Sequence, residues 1–161
     1  MPCLNDTKHQ GGGERMNLGT KDDLRVQLRR GATAVAAARV AIGVLALARP
    51  GVPTRPWVGV GAGTGDGTAG LAVRVLGRAL GGRDLGLGLG ALVTLAQADG
   101  ESSSVWVAAG ALCDALDVAT TLAAWRELPR VTRWFVLSSA AGASLAGAAG
   151  AVALRTTRAA G

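Results

Sequence analysis

The run Val105–Trp125, VWVAAGALCDALDVATTLAAW, decides how this chain is read. No Lys or Arg interrupts it, and charged groups resume only at Arg126. It is long enough to cross a bilayer, which takes about 20 residues of helix. Yet Asp114 and Asp117 stand inside it. A carboxylate is costly in hydrocarbon, so it faces a protein interior, a partner or a water-filled cavity. The run therefore predicts a membrane helix and marks the polar centre of a bundle.

Working outward, three further apolar runs appear. Ala32–Ala48, interrupted by Arg39, ends at Arg49-Pro50-Gly51, where proline cannot continue a helix. At a rise of about 1.5 Å per residue it spans roughly 25 Å, short but sufficient. A Gly/Pro/Thr loop is expected over Gly51–Gly70, and a helix over residues 71–98, through Arg83-Asp84. A polar turn at residues 99–104 leads to the helix over 105–125. The loop at residues 126–133 holds Pro129 and three arginines, and a helix follows over 134–154. Trp106, Trp125 and Trp134 fall near the ends of their runs, as interfacial indoles do.

The expected fold is all-α: a four-helix transmembrane bundle over residues 25–158, preceded by a disordered polar tail over residues 1–24. Met16 within that tail is an alternative translation start. Four crossings would put both termini on one side. Basic residues flank the two sides almost evenly, six against five or eight depending on where the second helix begins, so the positive-inside rule gives no orientation. The rival, a soluble bundle, fails on Val136–Leu154, which carries no charge at all. A soluble helix needs a charged outer face.

Composition agrees. Among 161 residues there are 25 glycines, no Tyr and a single Phe, so large side chains are too scarce for an ordinary soluble core. Small residues suit helices that approach closely in lipid. Gly82, Gly86 and Gly90 recur every four residues, as do Gly142, Ala146 and Gly150, and both sets predict packing grooves. The formal charge is +6, but the arginines cluster at the ends of apolar runs with no interleaved aromatics. That pattern argues for a bilayer as partner and against nucleic acid. Cys3 and Cys113 have no metal-site spacing, and Cys113 reads as a small packing residue. The single His9 lies in the polar tail. No cofactor is expected, and a catalytic triad has no placed histidine.

Three constellations bear on function. The first is the charge set Arg39, Arg83, Asp84, Asp114 and Asp117. Asp114 and Asp117 are three residues apart and share a helix face. Opposite charges on neighbouring helices can form a register-fixing ion pair or line a polar cavity, and the pair reading is preferred. The second is Gly59-Val60-Gly61-Ala62-Gly63-Thr64-Gly65-Asp66-Gly67-Thr68. It looks like the glycine-rich first motif of S-adenosylmethionine-dependent methyltransferases, which requires a strand before it and a helix after it. Pro53-Thr54-Arg55-Pro56-Trp57 makes a poor strand, so a simple flexible loop is preferred. The third is Arg74, Arg78 and Arg83, which read as interfacial arginines touching lipid phosphate.

The segments Arg39–Pro50, Arg78–Gly88 and Asp114–Asp117 together resemble a family of small four-helix membrane proteins of unknown function from high-GC bacteria. The likeness covers residues 32–154, and its most specific part is G-x-R-D/E-L-x-L-G at 81–88. It implies a multi-pass protein of the cell membrane and no assigned activity. A looser likeness to DoxX-like four-helix proteins rests on architecture alone. The expected role is a structural or partner subunit without catalysis of its own, with room for a homo-oligomer or a membrane-protein partner. A small transporter or channel built on the aspartates is the alternative, and a methyltransferase a distant third.

Overall fold

The computed structural model describes residues 12–58 and 67–156, with side chains over 23–24, 26–54 and 67–155. These form five helices and no strand: α1 Gly12–Ala48, α2 Gly51–Val58, α3 Thr68–Ala96, α4 Gly100–Ala123 and α5 Arg130–Thr156. The spans Val26–Ala48, Thr68–Ala96, Gly100–Ala123 and Arg130–Arg155 are each long and apolar enough to cross a membrane. Only between 22% and 28% of the most apolar stretch of each is buried within the protein. Leu76, Leu112, Phe135, Leu145 and Val152 point outward. A single chain whose large apolar side chains face out and whose small ones face in fits lipid as its solvent.

Each helix turns a stripe of small residues inward. On α1 it is Ala32, Ala36, Arg39, Gly43 and Ala46; on α3 it is Gly77, Gly81, Asp84, Gly88, Ala91 and Leu95. These positions recur at three- and four-residue steps, one face of a 3.6-residue helix. α1 runs antiparallel to α3, and α4 antiparallel to α5; the two pairs meet along α3–α4 and α1–α5.

The α3–α4 turn shows local sequence logic. Ala98 adopts a left-handed conformation with φ of 57°. Asp99 N–H then donates to Thr94 C=O at 3.2 Å and Ala98 N–H to Leu95 C=O at 3.2 Å, closing the helix by a Schellman motif. Asp99 in turn caps α4, accepting from the N–H groups of Glu101 and Ser102 at 3.1 and 3.2 Å.

Two boundaries differ from the sequence expectation. Helix α1 starts at Gly12, inside the segment read as a polar tail. Residues 14–28 contain no proline and many strong helix formers, so an existing helix propagates through them at little cost. The expected 51–70 loop begins with helix α2. Pro53 lies in its first turn, where a missing N–H is tolerated, and Thr54 Oγ donates to Pro50 C=O at 2.8 Å. Cys3, Lys8, His9 and the glycine-rich stretch from Gly59 to Asp66 lie outside the described residues.

The expected grooves also divide. A Cβ on Gly82, Gly86 or Gly142 would meet nothing within 4 Å. Gly90 alone of its set is in close contact, lying against the ring of Trp106. The tight contacts belong to Gly43, Gly81 and Gly88: a Cβ on Gly43 would lie 2.6 Å from Leu85 N, and one on Gly88 2.7 Å from Ala36 O. On α5 the close residue is Gly147, where a Cβ would come within 2.9 Å of Ala111 Cβ. Gly150 has only ordinary contacts, 3.7 Å to Val107 and 3.9 Å to Ala32.

Candidate functional site

Arg39, Asp84 and Asp114 each occupy a central position of an inward stripe, and Arg83 and Asp117 flank them. The bundle brings all five together. Arg39 Nη1 donates to Asp84 Oδ1 at 2.8 Å, and Arg39 Nη2 donates to Gly110 C=O at 2.9 Å. The same Nη2 also donates to Asp114 Oδ2. Arg83 forms a fork on Asp117, Nη2 to Oδ2 at 3.1 Å and Nη1 to Oδ1 at 3.4 Å. Its Nη2 also reaches Asp84 Oδ1 at 3.4 Å. The order is Asp114, Arg39, Asp84, Arg83, Asp117: signs alternate along a chain that ties α1, α3 and α4 together.

The network is largely withdrawn from its surroundings. Side-chain exposure is 11% for Arg39 and Asp114 and 15% for Asp84, rising to 22% for Asp117 and 29% for Arg83. In a low-dielectric setting such charges persist only when paired and hydrogen-bonded. Arg is suited to the role because its planar fork can satisfy two acceptors at once. Arg83, read from sequence both as a member of the charge set and as an interfacial arginine, bonds to Asp117 and Asp84.

Smaller residues make the geometry possible, and the sequence reading did not single them out. Gly110 provides both an acceptor and space: a Cβ there would lie 3.2 Å from Arg39 Nε. Thr121 Oγ donates to Asp117 C=O at 2.6 Å. Helix α5 brings no charge to the site, but Ser144 Oγ donates across to Ala111 C=O at 3.0 Å. The spacing of Gly110 four residues before Asp114 is the one cue that pointed to it, since both then share a face.

The network lines a half-open cleft of about 300 Å³ that is otherwise walled mainly by apolar side chains of α1, α3 and α5, with Pro53 and Thr54 of α2 at its edge. A second cavity of about 190 Å³ lies on the far side of Arg39 and Asp114, against Trp106 and Gly147. Among the described residues no group of three or more His, Cys, Asp or Glu side chains is disposed to hold a metal ion. The methyltransferase reading needs a strand before its glycine-rich loop, and helix α2 occupies that place.

Searched against family models, curated proteins and solved structures, the chain matches none.

Proposed function

We propose that this is a multi-pass protein of the cell membrane whose Arg/Asp network holds helices α1, α3 and α4 in register, and that it serves as a structural or partner subunit without catalysis. One observation carries this reading: every charge of the set is paired with an opposite charge on the same network, and the links cross three helices. Membership of the small four-helix family, and assembly with a second copy or another membrane protein, belong to the same proposal. Fractionation tests the setting: the protein is expected in membranes and to need detergent for release, and recovery in the soluble fraction overturns it. Asp117→Asn tests the role. A clamp loses folded protein, judged by monodispersity in detergent.

A second reading is favoured by the 300 Å³ cavity beside the network. It makes the protein a small transporter or channel with Asp84, Asp114 and Asp117 around a polar path. Under that reading Asp117→Asn stays folded and loses a flux across reconstituted vesicles.

A further inference from the structure

We infer that the cleft beside α2 binds a small organic monocation with a compact apolar body. The argument starts from charge. The network holds three carboxylates and two guanidinium groups, a formal charge of −1, and no other charged residue lines the cavity. An unbalanced charge in a membrane interior is costly, so the site favours a ligand that brings one positive charge.

The arrangement selects the kind of cation. The alternating order keeps the carboxylates apart, each separated from the next by a guanidinium, and among the described residues no carboxylate trio is placed to grip a bare metal ion. An ammonium group needs less: one or two carboxylate oxygens and apolar contact around its carbons. The walls supply that contact through Val35, Ile42, Leu80, Val136 and Ala140. A volume of about 300 Å³ is at the small end of ligand pockets, sized for a compact molecule.

This deepens the second functional reading by naming a solute class, and it rests on the same cavity. Binding is therefore measured without flux. A cation that binds but is not moved leaves the inference standing and sinks transport.

The experiment is titration calorimetry on the full chain in a sugar-headed detergent with three probes of nearly one shape. These are choline, its uncharged isostere neohexyl alcohol, and the anion tert-butylacetate. Saturable choline binding is expected, about tenfold or more tighter than neohexyl alcohol, with tert-butylacetate weakest. Asp117→Asn, which removes the excess charge, should abolish the preference for choline, and Asp117→Glu should keep it. Ala143→Leu fills the cavity from α5 without touching the charges, and should weaken all three probes by about tenfold. If Asp117→Asn does not fold, Ala143→Leu and the three-probe order still decide. No choline binding to the folded protein overturns the inference. So does equal affinity for the uncharged isostere, tighter binding of the anion, or choline binding untouched by Ala143→Leu.

Discussion

The α1–α3 seam and the α4–α5 seam are built from the same small residues, yet they hold by different means. Along α1–α3, backbone meets backbone. A Cβ on Gly43 would stand 2.7 Å from Gly81 O, and one on Gly88 would stand 2.9 Å from Val40 N. Arg39 crosses this seam to Asp84 and continues to Asp114. Along α4–α5 the contact at Gly147 is with the Ala111 methyl, Gly150 meets nothing closer than 3.7 Å, and two hydrogen bonds span the gap, Ser144 to Ala111 C=O and Arg155 to Ser104 Oγ. In the first seam the Arg39–Asp84 ion pair lies within a zone of close backbone approach that only glycine permits. In the second, side-chain packing and hydrogen bonds join the helices.

Mutations in the two seams should therefore separate widely. The largest effect is expected from Arg39→Leu, which leaves Asp84 without its closest cation and Asp114 without its guanidinium. Removing one member of a buried pair costs about 3–5 kcal/mol, and here two carboxylates are affected. Denaturation in mixed micelles should register this as loss of most folded protein. A near-wild-type midpoint would mean that the network does not hold the seam.

Gly88→Ala comes next. Its new methyl would press on Ala36 O, an atom of the backbone that no rotamer change can move. The helices must part, at a cost of about 1–3 kcal/mol. In the other seam, Ser144→Ala removes a hydrogen bond that α5 gives to α4, at about 0.6 kcal/mol by the usual worth of such bonds in membranes. Equal losses for Gly88→Ala and Ser144→Ala in the same unfolding assay would erase the distinction between the seams.

The sequence made the spans and the five charges legible for one reason: hydrocarbon makes charge conspicuous. Arg39 or Asp114 on a soluble helix would be unremarkable, whereas within an apolar run each demands a partner, and the available partners were few. The packing face was not legible, because α3 carries glycine nearly all round. Gly77, Gly81 and Gly88 share a face with Asp84, while Gly82 and Gly86 lie on the opposite side. Four-residue repetition alone cannot choose between them. Asp84 could have: the residues one turn either side of a buried charge are inward too. Helix α2 was hidden by Pro50 and Pro53, which punctuate a sequence more strongly than they break the entry and first turn of a helix.

Gly86→Leu has the smallest expected effect, and it tests the open face of α3. A side chain at Gly86 meets no atom of the protein within 4 Å, and its neighbours on that face, Leu89 and Val93, are already exposed. Leucine there would add apolar surface to a face turned to lipid, so the unfolding free energy in detergent should move by less than about 0.5 kcal/mol. If instead the variant loses stability, or a wild-type assembly in detergent falls to a smaller species, the glycine face is not open in the working protein. A second helix then lies along Gly82 and Gly86, packed backbone to backbone as α1 is packed on the other side. The contrast between the two seams would then extend to a third, between subunits. An unchanged midpoint and an unchanged particle size leave lipid as the occupant of that face.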